Sequence, residues 1–164
     1  MYKFIISLVL IITGVSAFSQ KPVSVPQLID MLEWTPKRID TTLKKDGYLL
    51  MQKEVDSSSS LFQYSWFDKQ DDGKAIVRSF IFMDVKTRNL ASRLITYRTY
   101  NKEEYQQIAA WLLANNYHST ATYDFKEAQH TLYNNGKQTI RVKVITTVLK
   151  GGNKYVAYEL ELGK

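Results

Sequence analysis

The spacing of apolar and polar residues divides the chain into helical and extended segments. Ile39 and Leu43 lie four residues apart, which places both side chains on one face of a helix. Ile108 and Leu112 show the same spacing later in the chain. After each helical segment the chain changes to runs rich in β-branched and aromatic residues, which are typical of strands. The pattern predicts a short helix over 26–34 and then the order helix, four strands, helix, four strands.

Residues that favour helix ends support these boundaries. Ser24 and Thr35 can each cap a helix whose first turn contains a proline. Asn101, followed three residues later by Glu104, predicts a capping box at the start of the last helix. Gly47 is placed to end the second helix in the left-handed conformation.

Two parts of the chain match in the same order. "LKKDGY" (43–48) and "LLANNY" (112–117) both end a helical pattern with a turn-forming residue and then Tyr. "GKAIVR" (73–78) and "GKQTIR" (136–141) follow in the same order. Any two helix-then-sheet segments share some such features, but the common order of the matches favours an internal repeat.

These observations predict an α+β fold of two tandem α-β4 units, each an antiparallel sheet backed by helices. The first unit spans 20–100 and the second spans 101–164, and their sheets could join edge to edge or pack as one. In outline this arrangement resembles the secreted β-lactamase-inhibitor proteins, which are tandem helix-plus-four-strand repeats with an open sheet face for their partner. The resemblance is one of architecture alone, and it transfers no residue and no activity.

The first residues have the layout of a secretory signal peptide. Lys3 precedes an apolar run over 4–12, and small residues follow, so that cleavage could fall after Ala17 or Ser19. A membrane-spanning helix needs about 20 apolar residues, and this run has become polar by Ser19. We expect 1–19 to be a signal peptide and the mature protein to be soluble in the periplasm or outside the cell.

The composition narrows the class of protein. The sequence contains no cysteine, so stability must come from apolar burial and not from disulfides. The net charge of +6 is spread along the chain, whereas nucleic-acid-binding proteins concentrate basic residues on one face or helix. A mildly basic secreted protein fits an acidic glycan, an anionic lipid surface or an acidic protein as partner. We expect no nucleic-acid partner and no stable insertion in a membrane.

Alternation along the strands predicts which side chains face the helices. Ile140 and Val142 share the apolar face of their strand, so we expect that face to pack on the helices. Arg141 and Lys143 then lie on the helix-free face. Glu159 of the last strand has the matching parity, which predicts cross-strand charge pairs there.

The same argument can be carried to the first half by matching Arg78 with Arg141. In this alignment of the two halves, Phe80 is equivalent to Lys143, and Tyr97 is equivalent to Tyr158. This alignment places an aromatic and basic set on the helix-free face, where a contiguous patch suggests contact with a partner. The alternative is that the chain itself covers this face. The residues predicted to bind the partner are Phe67, Arg78, Phe80, Phe82, Arg98 and Tyr100.

Residues able to carry out catalysis are few. His118 and His130 fall in predicted strands among polar neighbours, so we expect both to be exposed or hydrogen-bonded. No cysteine or suitably spaced carboxylate completes a metal site with them. The sequence contains neither a Gly-x-Ser-x-Gly motif nor a P-loop. We therefore expect that the protein is not an enzyme and binds no metal or cofactor.

Two functions remain as expectations. The first is a secreted or periplasmic binding module that engages a protein through an open aromatic and basic sheet face. The alternative is a carrier that holds a small apolar ligand or lipid between helix and sheet, with Trp34, Trp66 and Trp111 around the ligand. Tryptophans of this kind also occur as ordinary core residues.

Overall fold

The computed structural model describes residues 22–70, 73–86, 91–149 and 151–164, so the predicted signal peptide lies outside the described residues. Within these ranges none of the helices is long and apolar enough to cross a membrane. The elements follow the predicted order. They are α1 (Val25–Met31), α2 (Pro36–Lys45), β1 (Leu49–Val55), β2 (Ser59–Gln70), β3 (Gly73–Lys86), β4 (Ala91–Thr99), α3 (Lys102–Ala114), β5 (His118–Phe125), β6 (Ala128–Asn134), β7 (Thr139–Val148) and β8 (Lys154–Gly163).

The predicted helix caps are confirmed. The side-chain oxygen of Ser24 accepts a hydrogen bond from the backbone N–H of Gln27, and Thr35 does the same for Arg38. Asn101 accepts from the backbone N–H of Glu104 at 3.0 Å. These contacts satisfy N–H groups that have no partner within the first turn of a helix.

Helices α2 and α3 end in the same way. Gly47 and Asn116 both have positive φ, at 86° and 61°. The backbone N–H of Tyr48 donates to the carbonyl of Leu43, and that of Tyr117 donates to a carbonyl at the same spacing. The left-handed residue therefore ends each helix and turns the chain into the following strand, as predicted.

The eight strands form one antiparallel sheet in the order β1-β2-β3-β4-β8-β7-β6-β5. The prediction of two tandem α-β4 units, each with a helix-backed sheet, is wrong, because the described residues form a single sheet with three short helices. Strands β4 and β8 pair along the centre, from Leu94 opposite Gly163 to Thr99 opposite Tyr158. This long-range pairing gives one continuous sheet and a single hydrophobic core.

The core lies between the three helices and one face of this sheet. Its helical members include Leu28 and Met31 of α1, Leu43 of α2, and Ile108 and Leu112 of α3, all nearly inaccessible to solvent. The sheet contributes one side of each central strand, and its buried residues include Tyr64, Phe80, Phe82, Ile95, Tyr97, Ile140, Val142, Leu160 and Leu162. We call this side the helix-covered face and the opposite side the helix-free face.

The predicted face of β3 is wrong. Phe80 is 0% exposed and packs against the ring of Tyr64 on the helix-covered face, with ring centroids 6.3 Å apart. Phe82 packs in the same way against Phe62. Arg78 is also buried on this side, where it pairs with Glu104 of α3.

A one-residue error in the alignment of the two halves explains this correction. Phe80 pairs with Tyr97 of β4, so its equivalent should pair with Tyr158 of β8. That residue is Val144 and not Lys143. Because successive side chains of a strand point to opposite faces, a slip of one residue moves every side chain of β3 to the wrong side.

A buried polar cluster joins α3 to the sheet. Arg78 Nε donates to Glu104 Oε2 at 2.8 Å, and the Tyr97 hydroxyl donates to the other carboxylate oxygen. The guanidinium lies 4.9 Å from the ring centroid of Trp66. The carboxylate of Glu104 therefore binds the sheet, whereas a capping box would direct it to the backbone N–H of Asn101.

Candidate functional site

Charged side chains of three central strands meet on the helix-free face. Arg98 of β4 lies opposite Glu159 of β8, and Lys143 of β7 lies opposite Glu159 from the other side. Two residues along the same strands, Arg141 lies opposite Glu161. The alternation of the strands places all five side chains on the same side of the sheet. We call this set, Arg98, Arg141, Lys143, Glu159 and Glu161, the charge ladder.

The charge ladder is closely hydrogen-bonded. Arg98 Nε and Nη2 donate to Glu159 Oε2 at 3.0 and 2.6 Å. Lys143 Nζ donates to Glu159 Oε1 at 2.8 Å and to Glu161 Oε2 at 2.7 Å. Arg141 Nη1 donates to Glu161 Oε1 at 2.5 Å. The cross-strand charge pairs expected from strand parity are therefore present, and three cations meet two carboxylates.

The environment keeps these groups charged. Burial alone would raise the pKa of Glu159, but hydrogen bonds from Lys143 and Arg98 outweigh burial and lower the pKa below 4.5. For Lys143, burial favours the neutral amine, and the hydrogen bonds to Glu159 and Glu161 reverse this effect and raise its pKa. Glu159 and Lys143 therefore keep their charges at neutral pH, which suits a role in structure and electrostatic recognition better than proton transfer.

Aromatic side chains occupy the β5 end of the helix-free face. Tyr123 of β5 stacks on His130 of β6, with ring centroids 5.1 Å apart and planes at 4°. Phe125 meets the same imidazole edge-on, at 6.1 Å and 65°. Lys126 Nζ lies 5.4 Å from the Phe125 centroid. Tyr123 and Phe125 are 41% and 57% exposed, and we call Tyr123, Phe125 and His130 the aromatic edge.

His130 connects the aromatic edge to the charge ladder. It lies opposite Tyr123 on one side and opposite Lys143 on the other. The residue is only 8% exposed, and its Nδ1 has no hydrogen-bond partner among the described residues. The prediction of an exposed or hydrogen-bonded histidine is therefore wrong for His130, while His118 is exposed as expected.

The two histidines do not form a metal site. His118 lies opposite Asn134, five positions along β5 from the partner of His130. In the described part of the chain no group of three or more potential ligands, whether His, Cys, Asp or Glu, could hold a metal ion. The chemistry of the helix-free face is therefore that of charged and aromatic contacts.

An apolar row runs beside the ladder and continues the aromatic edge across the sheet. Phe125 of β5 is followed by Ala128, Ile145 and Ala157 in the paired positions of β6, β7 and β8. Tyr155 of β8, 41% exposed, flanks this row and packs against Tyr100 at a centroid distance of 6.2 Å. The helix-free face thus combines a strip of apolar and aromatic side chains with an adjacent basic-acidic network.

The six predicted site residues divide into three groups. Arg98 belongs to the charge ladder, and Tyr100 packs beside the apolar row through Tyr155. Phe67 is half-buried and lies opposite Ile76 beyond a register irregularity in the β2–β3 pairing. The other three are buried on the helix-covered face, and they are Arg78, Phe80 and Phe82.

The sequence prediction missed the aromatic edge. Tyr123 and Phe125 are two residues apart and so share a face. Which residue of β6 lies opposite Tyr123 depends on the position of the turn between the two strands, and that residue is His130. That turn is Lys126 and Glu127, with φ of 56° at Lys126. A two-residue turn without Gly or Asn is hard to recognise from sequence, and the prediction placed Ala128 in the turn as well. Correct recognition of the turn would have placed His130 opposite Tyr123.

The three tryptophans lie apart from each other and pack against the core. The guanidinium of Arg38 lies 4.0 Å from the ring centroid of Trp34, and Arg78 similarly covers Trp66. Trp111 packs against Tyr117 at 6.0 Å. The crevice that Trp111 lines contains neither Trp34 nor Trp66.

Comparisons with known proteins give no further guide to the site. The chain matches no protein-family model, no curated protein and no solved structure. A function for this chain therefore has to be argued from the helix-free face itself, where exposed aromatic side chains border a charge ladder that is fixed within the sheet.

Proposed function

We propose that the protein is a non-catalytic binding module that engages a protein partner through the helix-free face of its sheet. The observation that carries this proposal is the aromatic edge beside the charge ladder. Aromatic residues and arginine are enriched in protein interfaces, and half-buried Ile145 and exposed Tyr155 extend the apolar surface beyond the aromatic edge.

The charge ladder supports this function by fixing the surface in advance. Glu159 is 5% exposed and holds Arg98 and Lys143 in defined positions. A preformed surface loses little conformational freedom when it binds, which favours affinity. Arg98 and Arg141 are 36% and 39% exposed at their side chains and would offer guanidinium groups to acidic residues of the partner.

The proposed location is the periplasm or the cell exterior. The arrangement of charged, apolar and small residues over 1–19 supports export, and the absence of cysteine from the sequence agrees with a mature product that carries no lipid anchor on cysteine. Mass spectrometry of the protein from fractionated cells should give a chain that begins after Ala17 or Ser19. A full-length chain confined to the cytoplasm would contradict this proposal.

Site-specific crosslinking tests the binding function even while the partner is unidentified. A photoreactive phenylalanine at position 125 lies in the aromatic edge, and the same group at exposed Leu113 lies on α3. In cells that produce the protein, we expect a discrete protein adduct from position 125 and none from position 113. Mass spectrometry of the adduct distinguishes another protein from a second copy of this chain.

A matched double variant separates binding from folding. Tyr123→Ser with Phe125→Ser removes exposed rings, so the free energy of unfolding should fall by about 1 kcal/mol or less. The adduct from a probe at Tyr155, on the same face, should be lost in this variant. Equal adducts from positions 113 and 125, or an adduct that persists in the double variant, would contradict the proposed surface.

A further inference from the structure

A crevice lies on the helix side of the molecule, away from the helix-free face. It is formed where residues 22–26, which lead into and begin α1, pass α3, and it has a volume of ≈ 240 Å³. Its walls are Pro22, Val23, Ser24, Val25 and Pro26 from the first segment and Glu104, Gln107, Ile108 and Trp111 from α3. The charge ladder and the aromatic edge contribute no residue to it.

The base of the crevice is mostly apolar. Of its four buried lining residues, Val23 and Val25 are 2% exposed and Ile108 is 5% exposed, and the fourth is Glu104, also 5% exposed. Trp111 is half-buried and presents part of an aromatic side chain to the same space. Such walls favour an apolar or aromatic ligand, because a polar group placed against them would lose its hydrogen bonds to water.

The polar groups of the crevice further restrict the charge of a ligand. Both carboxylate oxygens of Glu104 are already engaged, one by Arg78 and the other by Tyr97. Glu104 therefore has little to offer a cationic ligand, and no lining residue supplies a cation for an anionic ligand. Gln107 is exposed at the rim and has an amide that can both donate and accept a hydrogen bond.

The volume sets the size of the ligand. An apolar cavity of about 150 Å³ is enough for benzene, and drug-sized ligands occupy pockets of about 300–1,000 Å³. A crevice of ≈ 240 Å³ lies between these limits. It fits a molecule with one or two fused rings and is too small for a lipid chain and its head group together.

We propose that this crevice binds a small neutral aromatic molecule, with its ring against Val25, Ile108 and Trp111 and one polar atom at Gln107. The site is independent of the proposed protein-binding surface, because no residue is shared and the two lie on opposite sides of the sheet. It also differs from a carrier site enclosed by all three tryptophans, since Trp111 is the one tryptophan among its lining residues.

Indole is a suitable probe, because it is a neutral bicyclic ring with one hydrogen-bond donor. Titration of the mature, ¹⁵N-labelled protein with indole should shift the amide signals of residues 23–25 and 104–111 in a saturable way. For nine non-hydrogen atoms, the expected dissociation constant is about 0.1–1 mM. Indole-3-acetate carries a carboxylate and should bind at least about tenfold more weakly, because the carboxylate would lose water against mostly apolar walls that supply no cation.

Two variants on the same helix provide the control. Gln107→Trp places a bulky side chain at the rim and should abolish the saturable shifts, whereas Gln106→Trp changes an exposed position that does not line the crevice and should leave them unchanged. Absence of saturable shifts with indole would overturn the proposal. Shifts confined to the aromatic edge, or equal binding by the two variants, would overturn it as well, and none of these results would bear on the protein-binding surface.

Discussion

The two faces of the sheet each hold a nearly inaccessible glutamate, but the partners come from different parts of the molecule. On the helix-covered face, Glu104 of α3 binds Arg78 of β3. On the helix-free face, Glu159 of β8 binds Lys143 and Arg98 of the neighbouring strands. The first contact therefore joins a helix to the sheet, and the second joins strands to each other.

This difference shows how one face can remain uncovered. The pair of Arg78 and Glu104 is enclosed by aromatic side chains of the core, including Trp66 and Tyr97. The charge ladder needs no covering layer, because neighbouring strands supply every charge and the outer guanidinium groups contact water. The helix-free face can therefore be ordered without a partner and still present its aromatic edge to one.

The largest effect is expected from Arg78→Ala. Removal of the guanidinium leaves the carboxylate of Glu104 buried without its cation, which costs about 3–5 kcal/mol of the free energy of unfolding. Urea denaturation monitored by circular dichroism measures the loss. Arg141→Ala is the control on the other face, where the side chain is 39% exposed and the expected loss is about 1 kcal/mol or less. Equal losses in the two variants would mean that the buried ion pair of Arg78 contributes no more to stability than the partly exposed ion pair of Arg141.

Glu159→Gln should have an intermediate effect. The substitution keeps the size of the side chain but removes its charge, and the remaining contacts of Lys143 with Glu161 limit the loss. We expect a decrease of about 1–3 kcal/mol in the free energy of unfolding, from the same denaturation experiment. A loss larger than that of Arg78→Ala would mean that the charge ladder, and not the helix contact, is the main electrostatic support of the fold.

The helix-free face should lose part of its stability in acid. Because the pKa of Glu159 is below 4.5 in the folded protein, its ionisation favours the folded state above that pH. The advantage disappears as the pH falls below 4.5 and through the folded pKa. The difference in unfolding free energy between wild type and Glu159→Gln should therefore be full near pH 7 and should shrink as the pH falls below 4.5. A constant difference over this range would contradict the assigned ion pairs.

The helix-covered face should lose stability in alkali. At neutral pH the substitution of Tyr48 should have the smallest effect of the variants considered. Burial raises the pKa of Tyr48 from 10.0 to about 12, so the neutral phenol favours the folded state below pH 10 and this advantage is lost as the pH rises through about 12. Its hydroxyl has no hydrogen-bond partner among the described residues. Tyr48→Phe should therefore change stability by less than about 1 kcal/mol near pH 7. Thermal unfolding of the variant should be less sensitive to alkali than that of wild type.

The elements could be predicted from sequence because their signals are local. Ser24, Thr35 and Asn101 cap the expected helices, and Gly47 ends α2 with the expected left-handed conformation. Each of these depends on a few neighbouring residues. The fold class was wrong because the pairing of β4 with β8 joins segments more than sixty residues apart, as between Arg98 and Glu159, and no local pattern encodes such a contact.

The candidate site was only partly predictable for the same reason. The charge pairs of Lys143 and Arg141 with the last strand follow from strand parity and are present. The aromatic edge depends on the two-residue turn that places His130 opposite Tyr123, and its sequence lacks a turn signature. The burial of Phe80 depends on a register that differs by one residue from the alignment of the two halves.

The sequence by itself determined the order of the helices and strands, the N-cap residues of the helices and which side chains of β7 and β8 form ion pairs. These features arise from interactions within a helical turn or from the alternation of a single strand. The tertiary structure decided that the strands form one sheet, that Arg78, Phe80 and Phe82 are buried, and that aromatic residues remain exposed at β5. Those outcomes depend on the register between distant strands and on which face the helices cover, since both are set when the whole core packs together.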